Sequence, residues 1–455
     1  MFPNPQDALP LPPSPSLEQY KKLAKDLVKA CKSADPRAIR AWAVRWIETL
    51  ATLTQLVITP DLPVSIDRWV DQVEDFTRRK LSQSPTAKCS LADAQFVVAR
   101  SHGFESWPRF AKHLEDLARA SSSISKFETA ADAIVSGDNA TLARLLREAP
   151  ELIRARSARE HRATLLHYVS ANGVEGYRQK TPQNVVLIAA VLLKAGAPVD
   201  AEADVYGGHA TTLELVATSL HPERAGVQDE LMAILLDHGA AIDHSSDDHA
   251  SDDHGNSAAR TSSMVNACLA NGRGRAAEFL AQRGARLDLE AAAGVGRLDV
   301  IKTFFTEAGS LLPNATKMQM ERGFLWACEY GRNSAVEFLL QKGVDIHSQA
   351  NTGQTGLHWA VIGGQLETIR LLLQGGASLE IKNAYDGTAL GQALWSVVNG
   401  NPPTGTDYAR VVETLLDGGG RIEGGSLAWL ARQTGGSSSL KQRIAGILRG
   451  HGAKS

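Results

Sequence analysis

The sequence predicts an all-α solenoid of stacked helix–turn–helix units, preceded by a small helical domain. Three observations predict it. Two long segments superimpose at a constant offset of about 33 residues, pairing Ala327 with Ala360, Gly331 with Gly364, Leu340 with Leu373 and Gly343 with Gly376. Glycine pairs of one fixed spacing recur in the same frame, as in Gly272 and Gly284, Gly331 and Gly343, and Gly364 and Gly376. Residues 16–120 lie outside this frame, yet they carry helical apolar periodicity.

One unit shows how such a repeat works. "TGLHWAVIGG" opens on Thr355 as N-cap, runs about two helical turns and stops at Gly363 and Gly364. "QLETIRLLLQGG" places Leu366, Ile369, Leu372 and Leu373 on one face of a second helix, which Gly375 and Gly376 end. "ASLEIKNAYDGT" is then an extended excursion with a turn at Asp386 and Gly387. A unit of this kind cannot bury its apolar face alone, so stacked neighbours must supply the core.

Weaker copies, among them "LIAAVLLKAGAPVDAEAD", "LMAILLDHGAAIDHSS" and "AAAGVGRLDVIKTFFTEAG", extend the frame to about nine irregular units over residues 126–455. Three units carry insertions: "GVEGYRQKTPQN", "DHSSDDHASDDHGNSAARTS" and "VVNGNPPTGTDY". All three are rich in turn-forming or polar residues and read as loops.

The segment "TGLHWAVIGGQLETIRLLLQGGASLEIKN" resembles an ankyrin repeat, whose first helix opens with T-P-L-H-x-A. Thr355, Leu357, His358 and Ala360 match that pattern, and Gly356 stands where the proline would be. The resemblance implies helix pairs with projecting β-hairpin fingers and a concave face that binds another protein. It also implies a structural His358, bonded to the N-cap threonine and nearby backbone.

Upstream, "SLEQYKKLAKDLVKAC", "DPRAIRAWAVRWIETL", "SIDRWVDQVEDFTRRKL", "SLADAQFVVARSHGF" and "SWPRFAKHLEDLARA" read as amphipathic helices. Asp35 with Pro36 opens the second, and Ser90 with Asp93 forms a capping box in the fourth. Phe104, Trp107 and Phe110 are expected in the core. "LADAQFVVARSHGFESWPRF" is similar to segments that precede ankyrin arrays in many bacterial proteins, where it could cap the first repeat. Residues 1–15, dense in proline, read as a disordered arm.

Composition narrows the function. A net charge of −2 without a basic patch argues against a nucleic-acid partner. No apolar run approaches a membrane span, and the N-terminus lacks the layout of a signal peptide. Four cysteines (Cys31, Cys89, Cys268, Cys328) lie far apart and form no CxxC pair, which suits a reducing compartment, expected to be the cytoplasm.

No HExxH, GxSxG or GxxxxGK[ST] occurs. "GRGRAA" at residues 272–277 resembles a dinucleotide loop, but a helical segment precedes it and Gly272 is already explained as an inter-helix turn. Ser438 and Lys441 have S-x-x-K spacing inside a glycine–serine loop, where chance explains them. No cofactor, small-molecule substrate or enzymatic activity is expected.

"IDHSSDDHASDDHGNS", from Ile242 to Ser257, holds five aspartates and three histidines. Both residue types ligate metals, yet "DDHAS" and "DDHGN" read as a tandem copy of a turn, which makes an overgrown finger the simpler account.

The expected function is therefore a non-enzymatic scaffold that presents a concave surface to a protein partner. Two alternatives are an activity in the N-terminal helices, with the array as targeting device, and a metal-responsive loop at 243–254. Trp326, Trp359 and Trp429 share one position of the first helix, where they either pack between repeats or line the binding face. From where the family binds, the contact residues would be Trp326, Tyr330, Arg332, Asn351, Gln354, Trp359, Ile362, Gln365, Tyr385 and Asp386.

Overall fold

The protein is described by a computed structural model that covers residues 4–54, 66–83, 89–243, 263–400 and 406–453. It divides into two compact units, Met1–Ser251 and Asp252–Ser455. The first takes in both the helices of residues 16–120 and the opening part of the repeat frame.

The first unit begins with α1 (Leu17–Cys31), α2 (Ala38–Thr54), α3 (Ile66–Ser82), α4 (Leu91–Ser101) and α5 (Trp107–Leu117). Ser90 and Asp93 form the expected capping box at α4, each bonding the other's backbone amide. The core gathers Tyr20, Trp42, Trp46, Trp69, Phe104 and Phe110, while Trp107 is only partly covered. His102 is stacked on Phe110 at 5.2 Å within that aromatic cluster.

The proline-rich segment corrects an expectation, for residues 4–12 are packed and not disordered. Leu9 is fully buried. Its amide donates to the Ser101 carbonyl at 2.7 Å, and its carbonyl faces His102 Nδ1 at 3.0 Å. Asp7 accepts from Gln72 Nε2 at 2.8 Å and Arg68 Nη2 at 3.2 Å. Proline explains how this is possible: a segment with few N–H groups can lie on an apolar surface with few donors left to satisfy.

The rest of the first unit comprises α6 (Ser123–Ser136), α7 (Asn139–Glu148), α8 (Val185–Lys194), α9 (Thr212–Thr218), α10 (Leu220–Arg224) and α11 (Gln228–Asp237). Between α7 and α8, residues Leu165–Ser170 form a buried 3-10 helix. Thr164 caps it together with His167, whose Nδ1 lies 2.8 Å from Thr164 Oγ1. "TLLH" is thus a second T-x-L-H opening. One finger is a true hairpin, pairing β1 (Glu202–Ala203) antiparallel with β2 (Ala210–Thr211).

The second unit is a succession of helix pairs. These are α12 (Met264–Ala270) with α13 (Gly274–Gln282), α14 (Leu289–Gly294) with α15 (Leu298–Lys302), α16 (Lys317–Glu329) with α17 (Asn333–Gln341), α18 (Gly356–Ile362) with α19 (Leu366–Gln374), α20 (Ala389–Asn399) with α21 (Tyr408–Asp417), and α22 (Ser426–Arg432) with α23 (Ser438–Gly450). Gly376 takes φ +85° just past α19, the left-handed geometry a glycine stop requires. Gly272 sits in the turn between α12 and α13, as the repeat frame demanded.

The expected β-hairpin fingers are reduced here. Among the described residues of this unit they close by single bridges, Phe305 to Leu311 and Gln349 to Thr355. The excursions are too short for a ladder once the turn has been made.

The core of the second unit follows the repeat. Ala327, Ala360 and Ala393 are fully buried, each one repeat after the last. Ile369 and Leu372 of α19 are matched in α21 by Val412 and Leu415, a longer step because the extra residues fall between α20 and α21. His358 closes the repeat junction. Its Nδ1 lies 2.9 Å from Thr355 Oγ1, and its Nε2–H donates to the Gly387 carbonyl of the next finger at 3.1 Å. Burial lowers its pKa and keeps the ring neutral, as these two opposite hydrogen-bond roles need.

Two outcomes test this packing. Leu9→Ala should destabilise helices α1–α5 by about 2–5 kcal/mol, seen as faster amide exchange there, whereas a free arm would leave exchange unchanged. His358→Ala should cost about 1–3 kcal/mol by urea unfolding, since it strands the Gly387 carbonyl and the Thr355 cap.

Candidate functional site

The first-helix positions of the second unit form a register. Trp326 on α16 and Trp359 on α18 are one repeat apart and both partly buried. Their ring centroids are 5.8 Å apart. Trp326 Nε1 donates to Glu290 Oε1 at 2.8 Å. The two rings therefore fill the junction between consecutive helix pairs and keep one edge toward solvent.

Several expected contact residues are committed to bonds between repeats. Tyr330 OH donates to the Leu269 carbonyl at 2.7 Å. Arg332 Nε donates to the Gly294 carbonyl at 3.2 Å, and its guanidinium pairs with Glu278. Gln365 Nε2 donates to the Glu329 carbonyl at 3.2 Å. Gln354 is buried, its carbonyl closing the finger on the Ala350 amide at 2.9 Å. Ile362 is half-covered, and its carbonyl accepts from Tyr408 OH at 2.8 Å.

Asn351, Tyr385 and Asp386 are exposed on the fingers. The Ala384 amide donates to the Thr352 carbonyl at 2.9 Å, so two neighbouring fingertips are joined and these three residues are brought together. Tyr385 stands out most, at 76 % exposure. Asn383 braces the turn beneath it, its Oδ1 accepting from the amides of Tyr385 and Gly387 at 3.0 Å each. Trp395 of α20, 51 % exposed, was missed in the sequence reading. Its signal was available, since it falls one repeat after Ile362 in the same register.

A second constellation lies in the first unit. The insertion "GVEGYRQKTPQN", read as a surface loop, instead buries Glu175 and Arg178. Arg159 Nη1 contacts Glu128 Oε1 at 2.7 Å and Glu175 Oε1 at 2.9 Å. Arg178 reaches Glu128 Oε2 at 2.8 Å through Nη1 and Asp132 Oδ1 at 2.8 Å through Nε. Arg159 Nη2 donates to Tyr177 OH at 3.2 Å, and His161 Nε2 lies 3.4 Å from Glu175 Oε1. His113 of α5 is 4.0 Å from Glu128.

Two carboxylates and two guanidiniums thus neutralise one another where water is excluded, which is how a polar insertion can enter a core. Burial opposes the Glu128 charge, but Arg159 and Arg178 outweigh it and hold the carboxyl at about 2. Burial likewise opposes the Glu175 charge, and the same two guanidiniums hold it well below the usual carboxylate range. His113 is pushed down to about 4 by burial, with Arg159 adding to the effect. The cluster is structural: it ties α5 and α6 to the segment 159–178.

Among the described residues no group of three His, Cys, Asp or Glu side chains is placed to hold a metal ion. The metal-responsive reading of 243–254 falls beyond Asp243 on residues outside the described ones.

Arg159→Met should destabilise the first unit by about 3–5 kcal/mol, because it leaves two buried carboxylates short of a partner. Acid should act on the same cluster. Glu128 and Glu175 have folded pKa values below their unfolded ones, so their stabilisation is complete above about pH 4.5 and drains as pH falls toward 2. His113 also binds its proton more readily when unfolded, and its contribution is lost between about pH 6.5 and 4. Protection factors of the amides in residues 157–178, corrected for the intrinsic pH dependence of exchange, should fall on acidification over both windows.

One family model agrees with the repeat geometry. Residues 324–422 match the family model described as ankyrin repeats (3 copies). No curated protein matches the chain. Among solved structures, the human ASB11 ankyrin repeat domain is similar over 65 % of this chain and 99 % of its own, at 20 % identity and a TM-score of 0.33. The ankyrin repeat domain of Bcl-3, described as a unique member of the IkappaB protein family, aligns over 58 % of this chain and 92 % of its own, at 19 % identity and a TM-score of 0.28. The helix pairs of residues 324–422 are ankyrin repeats.

Proposed function

We propose that this chain is a non-enzymatic scaffold that presents the joined fingertips and first-helix edge of its ankyrin segment to a protein partner. The observation that carries this reading is Tyr385. It is a large aromatic, 76 % exposed, on a turn held by Asn383 and by the neighbouring finger. A free aromatic side chain on a braced backbone loses little entropy on binding, and tyrosine is a frequent interface hot spot.

The setting proposed is a bacterial cytoplasm. Four cysteines with no CxxC pair in the sequence support a reducing compartment. No helix among the described residues is long and apolar enough to cross a membrane. The helices of residues 16–120 serve in this reading as a cap, supported by the ties that Glu128, Arg159 and His113 make between α5, α6 and the first repeat segment.

Affinity capture with the full chain tests the reading. Partners retained by the native protein should bind the Asn351→Ala/Tyr385→Ala double variant at least about tenfold more weakly. Binding of every captured partner with unchanged affinity by that variant would place the interface elsewhere.

A further inference from the structure

Glu329 ends α16 and is half-covered. One of its carboxyl oxygens is buried without a hydrogen-bond partner. Among the described residues no cation offsets the burial, which pushes the carboxyl up to about 8. Glu128 and Glu175, by contrast, are buried against the guanidiniums of Arg159 and Arg178. An orphaned carboxyl is costly, and in a folded protein it calls for an account.

Its surroundings supply one. Trp326 lies one turn earlier on α16, with Trp359 against it at 5.8 Å. Trp359 Nε1 is also buried without a partner among the described residues. A Cβ on Gly363 would stand 1.9 Å from the Glu329 carbonyl, so the ends of α16 and α18 are flush there. Glu329, Ile362 and Trp395 occupy one register in successive repeats, and Trp395 is exposed.

We propose that the Glu329 end of this strip seats a cationic side chain, lysine or arginine, of a protein partner, with Glu329 as counter-ion and the Trp326 and Trp359 rings as its walls. The inference rests on the reading of this segment as a protein-binding surface and names the chemistry it selects. Charge complementarity carries it: burial alone keeps the Glu329 carboxyl protonated at neutral pH, a cation seated beside it favours the ionised form, and indole faces attract cations. Glu329 is partly open to solvent, so an ammonium or guanidinium can approach the carboxyl without the repeats separating.

The test uses the full chain labelled with 5-fluorotryptophan, whose eight indoles are read by fluorine NMR. Trp326 and Trp359 are assigned by Trp326→Phe and Trp359→Phe. Nα-acetyl-lysine amide should shift both resonances saturably. The neutral Nα-acetyl-norleucine amide should do so at least tenfold more weakly. Glu329→Gln should abolish the preference for the cation while leaving the thermal midpoint no lower, since it removes an uncompensated carboxyl. Equal responses to the two amides, or a lysine preference that survives Glu329→Gln, would overturn the proposal. Either result leaves the interaction reading intact, because that reading is tested at Asn351 and Tyr385.

Discussion

A helix pair of this kind has an apolar face that it cannot cover, and the second unit is organised around that deficit. Ala327, Ala360 and Ala393 are fully buried at one repeat position, where small side chains let consecutive first helices approach. Left-handed glycines just past α13, α17, α19 and α21 (Gly284, Gly343, Gly376 and Gly419) then turn the chain at one repeat position. His358 pins that register by joining its own cap to the carbonyl of Gly387. The positions of Trp326, Trp359 and Trp395 along the face follow from this stacking.

The first unit meets a similar need with different chemistry. There the contact between α5, α6 and segment 159–178 contains charge, and it is stable because the charges are paired. Arg159 bridges Glu128 and Glu175, and Arg178 bridges Glu128 and Asp132. Such a cluster is sensitive to the loss of any single partner, since the remaining charges cannot return to water without opening the core. Apolar stacking of the kind seen around Ala360 has no comparable dependence on pH.

Much of the fold was legible because a few residue types are irreplaceable where they stand. Glycine past a helix, threonine at a cap and histidine three residues later each have one structural meaning, and their spacing revealed the repeat. What escaped the sequence depends on partners distant in the chain. Leu9 reads as part of a proline-rich tail until Ser101 and His102 bond its backbone. Glu175 and Arg178 read as loop residues until Arg159 and Glu128 neutralise them. Tyr330, Arg332 and Gln365 looked free because periodicity within one unit cannot show that their polar atoms bond the neighbouring unit. Tyr385 and Asn351 could be read as exposed because fingertips lie outside that stacking, and the position of Trp395 was legible from register alone.

The surface that remains once these bonds are drawn is a narrow one: two joined fingertips and a strip of first-helix side chains. The most direct measurement of whether it is the working face is hydrogen exchange of the full chain with and without a captured partner. The account predicts protection concentrated in residues 349–355 and 383–388 and along α16, α18 and α20. Protection confined to the second helices α17, α19 and α21, or to residues 4–243 alone, would contradict it.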